Sequence, residues 1–165
     1  MPIVLLRIDE RLIHGQVVIG WGNHVRPDRY VVVDDELASS EWEQDLYRLG
    51  AGGAEVLFVT VAEAREGLTE WRAVPTRSIL LTRDVATMRR LAEGGLLEGE
   101  SVNVGGVHHR ADRDELLTYV HMTDAERRDL EAIAAEGAQV AARDLPDAHR
   151  VSLSSLLGSR WKSSS

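Results

Sequence analysis

The chain has 165 residues, no cysteine and a formal net charge of −8 at pH 7, with 44% apolar and 28% charged residues. This length and composition are typical of one soluble domain with a buried core. The lack of cysteine excludes disulfides, thiolate nucleophiles and cysteine-ligated metals. The negative charge argues against a general nucleic-acid binder, which needs a basic face, and the apolar runs are far shorter than the roughly 20 residues that span a bilayer. We therefore expect a cytoplasmic protein with no nucleic-acid partner.

Short apolar runs alternate with helical patterns along the chain. Several of the runs are apolar throughout, which is typical of strands buried on both faces of a parallel sheet. This alternation predicts right-handed βαβ units and an α/β fold, an open, mostly parallel β-sheet with helices on both faces in a Rossmann-like three-layer sandwich. We expect one domain over residues 1–158 and a flexible tail over 159–165. The predicted strands are 3–8, 30–33, 54–59, 78–82, 101–104, 118–122 and 138–143.

Capping patterns predict where several helices begin. Asp84 can cap one helix, and three other helices begin with the capping-box pattern of a Ser or Thr followed three residues later by Glu. In the first of these three helices Trp42, Leu46 and Leu49 share one face. The three capping-box pairs are Ser40–Glu43, Thr60–Glu63 and Thr123–Glu126.

The polar segment "RIDERLIHGQV" at residues 7–17 directly follows the first predicted strand. Ligands of open α/β sheets bind beyond the carboxyl ends of the strands, and this segment leaves the sheet at that edge. His14 is placed just before a predicted helix, on which Val18, Trp21 and Val25 would face the sheet. The segment is therefore the first candidate for a functional site.

The residues beside His14 have the properties needed to hold a phosphoryl group. A neutral imidazole is a competent nucleophile, and a carboxylate such as Asp9 could hold it in one tautomer. Arg11 offers a bidentate fork to phosphate oxygens, and amides at a helix N-terminus favour an anion. A solvated surface loop with one histidine would look similar, so the residues alone leave both interpretations open. The amides at that N-terminus are those of Gly15, Gln16 and Val17.

The segment "RIDERLIHGQV", followed by Trp21, closely resembles the active-site segment of the IIB components of the mannose/fructose/sorbose family of sugar phosphotransferase systems. A second stretch, "SVNVGG" at 101–106, resembles another motif of that family. The resemblance implies a transferase, a protein-N(π)-phosphohistidine–sugar phosphotransferase. In it, His14 would take a phosphoryl group from a IIA protein and pass it to a sugar carried by the membrane components IIC and IID. It implies no metal and no other cofactor.

Within this interpretation, the chemistry and position of the residues around His14 predict their roles. His14 would be the phosphohistidine, assisted by Arg11 and Asp9, and the phosphate would be held by Arg7 and by the amides of residues 15–17. Arg7 and Asp9 would in addition order the loop. The IIA donor would dock at the carboxyl edge of the sheet, and contact with IIC and IID would bring the protein transiently to the membrane.

Two further groups of residues have more than one interpretation. His108 and His109 follow the "NVGG" strand in a segment more charged than is usual for the family, and they could line the site, bind a metal or lie on a solvated loop. Asp34 and Asp35 end the second strand and could gather a cation, orient His14 or cap the following turn. His108, His109, Asp34 and Asp35 all lie on the edge where IIA is expected.

Two functional alternatives remain at the level of sequence. One is a regulatory protein phosphorylated at His14 but not coupled to transport, and the other is an α/β domain that binds a small molecule without a covalent step. The sequence names neither the sugar, which would be held by IIC and IID, nor the phosphorylated ring nitrogen. A homo-oligomer is compatible with the sequence but not indicated by it.

Overall fold

The computed structural model describes residues 2–158, and the tail predicted over 159–165 lies outside them. Seven strands form one sheet in the order β3-β2-β4-β1-β5-β8-β9, and β6 and β7 form a separate antiparallel hairpin. All pairings in the large sheet are parallel except that of β8 with β9. The predicted fold class is thus confirmed. The strands are β1 Ile3–Ile8, β2 Arg29–Val33, β3 Glu55–Val59, β4 Ser78–Thr82, β5 Ser101–Val104, β6 Asp114–Leu117, β7 Val120–Met122, β8 Gln139–Ala142 and β9 Val151–Ser152.

Helices cover both faces of the sheet. A π-helix at Gln16–Trp21 continues directly into α1, and short 3₁₀ helices lie at Leu37–Ser39 and Glu93–Gly95. The α-helices are α1 Gly22–Val25, α2 Glu41–Leu49, α3 Val61–Ala73, α4 Val85–Ala92, α5 Asp124–Ala135 and α6 Leu153–Leu157.

The central position of β1 follows from the direction of the connections. The chain leaves β1 toward β2 and β3 on one side, with the π-helix and α2 on one face of the sheet. It then returns through β4 to β5 on the other side of β1, with α3, α4 and α5 on the opposite face. Because right-handed crossovers in opposite directions place their helices on opposite faces, the carboxyl end of β1 lies where the connections diverge.

The hairpin shows where the strand prediction was incomplete. The strand predicted over 118–122 is observed as β7, but it pairs with β6 rather than with the large sheet. Both β6 and the two-residue β9 were missed, because the sequence "DELL" of β6 has no apolar alternation and β9 is too short to show any.

Two expected helix faces also differ from the structure. In the helical segment after His14, Val17 and Trp21 are the buried apolar side chains, whereas Val18 and Val25 are only partly buried. The π-helix explains this shift, since its wider turn changes which positions face the sheet. In α2 the shared face of Trp42, Leu46 and Leu49 points to solvent, with side chains at least 58% exposed.

The three capping-box patterns did not all form. Thr60 accepts a hydrogen bond from the Glu63 amide at 3.1 Å, while Glu63 accepts one from the Thr60 amide at 2.9 Å, and Thr123 and Glu126 form the same pair of bonds. Ser40 makes no side-chain capping bond, because α2 follows directly on a 3₁₀ helix and the conformation of Ser40 differs from that of the other caps.

This contrast allows a matched stability test. Thr60→Ala should lower the free energy of unfolding by about 1 kcal/mol, because it leaves a helix amide without its acceptor. Ser40→Ala has the same sequence pattern but removes no bond and should leave the free energy of unfolding nearly unchanged. Urea titrations of both variants measure the difference, and equal losses would contradict the assignment of the caps.

Candidate functional site

The loop that follows β1 is held by backbone bonds to the two neighbouring strands. The Asp9 amide donates to the Thr82 carbonyl at 2.9 Å, and the Glu10 amide donates to the Gly106 carbonyl at 2.9 Å. The Leu12 amide then turns back to the Asp9 carbonyl at 3.0 Å, and Leu12 is fully buried with a φ of +54°. A left-handed conformation is unfavourable for leucine, so burial of this side chain holds the turn that presents His14.

Arg7 is the centre of the polar network under this loop. It lies in β1 with no solvent-exposed surface, and all five of its N–H groups are used. Two donate to Asp9 Oδ2 at 3.0 and 3.2 Å, one donates to Asn103 Oδ1, and two donate to the carbonyls of Arg143 and Asp144 at 2.8 and 3.1 Å. Arg7 therefore connects β1 with β5 and with the chain that leaves β8.

Gly105 and Trp21 make room for the Arg7 guanidinium and cover it. A Cβ at Gly105 would clash with the Arg7 guanidinium, so this position of the "NVGG" motif accommodates only glycine. The Trp21 ring lies 5.5 Å from Arg7 Cζ, and its Nε1 donates to the Asp144 carbonyl at 2.9 Å. The two motifs at 7–17 and 101–106 therefore meet around one buried cation.

Asp9 connects this network to the loop through hydrogen bonds. Its carboxylate is fully buried and accepts from Arg7, from the Arg11 amide at 3.1 Å and from the Gly106 amide at 3.2 Å. Burial raises the pKa of Asp9, but the contact with His14 and the charge of Arg7 outweigh it and lower the pKa from 3.8 to about 2. Burial lowers the pKa of Arg7, and Asp9 opposes that change.

His14 lies against Asp9 with one ring nitrogen buried. Its Nε2 is 3.2 Å from Asp9 Oδ2, an ion-pair distance, although the approach lacks the alignment of a hydrogen bond. The His14 side chain is only 15% exposed. Nε2 is therefore the ring nitrogen that faces the carboxylate.

Arg11 lies on the solvent side of the same carboxylate. Its side chain is 42% exposed, with Nε 3.7 Å from Asp9 Oδ1 and Nη2 bonded to Gln16 Oε1 at 2.7 Å. The guanidinium is therefore held near His14 but remains accessible. Gly15 is exposed as well, so an anion can approach its amide.

The structure corrects two of the predicted phosphate ligands. Arg7 cannot bind phosphate, because it is fully buried and its donors are all used, although its predicted role in ordering the loop agrees with these bonds. The Val17 amide donates to the His14 carbonyl at 3.0 Å and is not free for an anion. Arg11 and the amides of Gly15 and Gln16 remain as candidate ligands.

Asp34 and Asp35 are built into the structure away from His14. Asp34 accepts from the amides of residues 36 and 37 and pairs with Arg83 at 2.7 Å, which is the turn role considered for it. Asp35 accepts from the Val61 amide at 2.9 Å and pairs with Arg90 at 3.1 Å. Neither carboxylate contacts His14, and within residues 2–158 no cluster of His, Asp or Glu is suited to a metal.

The adjacent residues His108 and His109 have different surroundings. His108 Nδ1 lies 3.3 Å from Glu10 Oε2, so His108 belongs to the site, whereas the His109 ring packs edge-on against His121 with centroids 5.7 Å apart. Sequence reasoning missed four residues that hold the site: Asn103, Arg113, Arg143 and Asp144. Two of them act through backbone carbonyls, which leave no signal in side-chain chemistry, and nothing local in the sequence shows that Arg113 is buried.

Comparison with known proteins agrees with this geometry. The family model described as "PTS system sorbose subfamily IIB component" matches residues 3–165. The chain belongs to this family. The N-acetylgalactosamine-specific phosphotransferase enzyme IIB component 1 of Escherichia coli K12 is 33% identical over 147 residues, which cover 87% of this chain and 91% of that protein. The fructose-specific EIIB component of Bacillus subtilis 168 is 29% identical, covering 88% and 90%.

Solved structures show the same fold along nearly the whole chain. The crystal structure of manxB from Thermoanaerobacter tengcongensis has a TM-score of 0.84 at 30% identity and covers 97% of both chains. Among the sequence relatives, the mannose-specific EIIAB component of E. coli K12 is 31% identical over 87% of this chain. The matched part is 44% of that protein.

Family membership establishes the general activity. The chain is a transferase, a phosphocarrier subunit of a sugar-transporting phosphotransferase system that works with IIA and IIC/IID components and a sugar. The regulatory and non-covalent alternatives are not favoured. Among the described residues no helix is long and apolar enough to cross a membrane.

The pKa of Asp9 predicts how the site responds to acid. A carboxylate whose pKa is lower in the folded state stabilises the fold above its unfolded pKa of about 3.8, and this contribution is lost as pH falls toward about 2. Its size is on the order of 2 kcal/mol. The destabilisation caused by Asp9→Asn should therefore be large at pH 7 and smaller by about that amount near pH 2.5.

Urea unfolding of the wild type and Asp9→Asn at pH 7, 4 and 2.5 measures this change. Asp147→Asn, an exposed carboxylate between β8 and β9, is the control and should have little effect at any of these pH values. A destabilisation by Asp9→Asn that is independent of pH would show that Asp9 is not ionised against Arg7 in the fold.

Proposed function

We propose that His14 is the residue that carries the phosphoryl group and that its Nδ1 atom forms the bond to phosphorus. The observation that supports this is the buried contact of Nε2 with Asp9 Oδ2 at 3.2 Å, which leaves Nδ1 for the donor. Asp9 stabilises the tautomer with the proton on Nε2, so the lone pair is on Nδ1. Asp9 is a carboxylate at neutral pH despite its burial, since its pKa is lowered rather than raised.

The phosphoryl oxygens in this proposal bind to Arg11 and to the amides of Gly15 and Gln16. Arg11 is close enough to reach a group on His14 when it releases the Gln16 side chain, and it can form two parallel bonds to phosphate. The buried pair of Arg7 and Asp9 has nearly no net charge, so Arg11 supplies the positive charge that the phosphoryl group needs. Positioning and charge are the main requirements of phosphoryl transfer.

The partners must approach from the carboxyl end of β1. Both IIA, which delivers the phosphoryl group, and the IIC/IID assembly, which presents the sugar, have to reach the same ring nitrogen. The exposed residues around it include Arg11, Gly15 and His108, and the anionic centre of phospho-IIA is drawn to Arg11 despite the net charge of −8. We place this exchange in the cytoplasm, with transient contact to the membrane through IIC and IID.

The identity of the acceptor is tested by incubation with phospho-IIA followed by intact-mass measurement. The wild type should gain one acid-labile phosphoryl group, and His14→Gln should gain none, since glutamine fits the site but has no nucleophilic nitrogen. His24→Gln, which changes an exposed histidine of α1, should behave like the wild type. NMR of the ¹⁵N-labelled phosphoprotein should show the bond at Nδ1. Phosphorylation of His14→Gln, or a bond at Nε2, would contradict the proposal.

The role of Arg11 is tested by Arg11→Lys, which keeps the charge but loses the planar fork. Transfer from phospho-IIA should slow by roughly 10-fold or more, since a donor to the transition state is lost. Arg110→Lys changes an exposed arginine that pairs with Asp112 at 3.0 Å and serves as the control. Rapid-quench kinetics give both rates, and an unchanged rate in Arg11→Lys would mean that the backbone amides suffice.

A further inference from the structure

A second charged network borders the site and has no role in the mechanism described so far. Its centre is Arg113, whose side chain is only 5% exposed. Arg113 donates twice to Glu126 at 2.8 and 2.9 Å, and it also donates to Glu10 and, at 2.9 Å, to the carbonyl of His108. The same buried cation therefore holds both a carboxylate of the site loop and the backbone of His108.

The result is an oriented imidazole at the edge of the site. Glu10 Oε2 lies 3.3 Å from His108 Nδ1, so the carboxylate stabilises the tautomer with the proton on Nδ1 and the lone pair on Nε2. The His108 side chain is 47% exposed, so a substrate can reach it. A carboxylate that orients a histidine in this way is the usual arrangement of a general base.

The free nitrogen of His108 points toward the phosphoryl site. A Cβ at Gly106 would lie 3.2 Å from His108 Nε2, 3.3 Å from Asp9 Oδ1 and 3.5 Å from Arg11 Nη2. These three atoms thus lie close together around Gly106, and Asp9 at the same time contacts His14 at 3.2 Å. His108 Nε2 is therefore next to the arginine proposed to bind the phosphoryl group.

We propose that His108 is the general base for transfer from phospho-His14 to the sugar, an inference that rests on His14 being the phosphoryl carrier. In this step the sugar hydroxyl oxygen forms a bond to phosphorus, the P–N bond breaks, and its electron pair returns to His14 Nδ1. The hydroxyl proton passes to His108 Nε2, while Glu10 stabilises the resulting imidazolium.

The two transfers of the phosphoryl group differ in their need for a base. In the transfer from IIA the acceptor is His14 Nδ1, which already has a free lone pair, so no hydroxyl proton has to be removed. Transfer to a sugar releases a proton from the attacking hydroxyl. His108 therefore acts in the second transfer only, and this asymmetry separates a general base from a phosphate ligand or a structural residue, which would affect both transfers.

The test compares the two transfers in His108→Gln. Phosphorylation by phospho-IIA is measured by rapid quench, and transfer onward is measured with membrane vesicles containing IIC and IID, with N-acetylgalactosamine, fructose and mannose as probes. The first rate should stay within about twofold of wild type, and the second should fall by about 100-fold, the usual contribution of a general base. His109→Gln is the control, since that ring packs on His121 instead.

The pH profile supplies an independent readout. In the wild type the second transfer should be slower at acid pH relative to the first transfer, and this difference should disappear in His108→Gln. The groups that face His108 are Glu10 at Nδ1, Asp9 and Arg11 across Gly106, and Arg113 at its carbonyl.

The outcomes separate the two proposals. Equal slowing of both transfers in His108→Gln, or no slowing of transfer to sugar, overturns the role of His108 and leaves His14 as the carrier. If the wild type takes no phosphoryl group on His14, the proposed function itself fails, whatever the His108 variant does.

Discussion

The buried ion pair of Arg7 and Asp9 is the interaction on which the site depends. Two charges with no exposed surface are costly unless every polar atom is paired, and here the guanidinium uses all five donors. Those donors bind to the loop after β1, to β5 and to the chain after β8, so the pair connects three parts of the fold. Removing either partner leaves an uncompensated buried charge, and the loop that carries His14 would lose its support.

Because of this pair, two arginines that are four residues apart have different roles. Arg7 is neutralised by Asp9 and cannot attract an anion, whereas Arg11 is accessible and reaches the carboxylate only at 3.7 Å. Asp9 in turn orients His14 from below without competing for the phosphoryl group. The site is thus neutral at its base and positive at its surface, which suits a carrier that must accept a dianionic group and also release it.

Much of this could be predicted from sequence, for identifiable reasons. The parallel sheet follows from apolar runs such as "YVVV", and the place of the site follows from polar residues directly after a buried strand. The role of Arg7 was predicted only in part, because "RIDER" shows two similar arginines and nothing local tells which one is buried. That distinction comes from Gly105 and Trp21, which meet Arg7 only in the fold.

The outward face of α2 shows the opposite limit of sequence reasoning. Trp42, Leu46 and Leu49 have the spacing of a helix face that packs on a core, yet they are exposed. The inner side of α2 packs instead through residues such as Tyr47, whose ring lies 6.3 Å from that of Phe58. The periodicity of apolar residues indicates that a helix has two different faces. Which face packs on the sheet depends on how the preceding segment enters the helix. In this chain the preceding segment is the 3₁₀ helix at Leu37–Ser39, together with Asp34, which accepts hydrogen bonds from the amides that begin the turn. Asp34, which could have oriented His14, thus helps to orient α2 instead. Any effect of Asp34 on function would therefore act through the backbone and not through contact with His14.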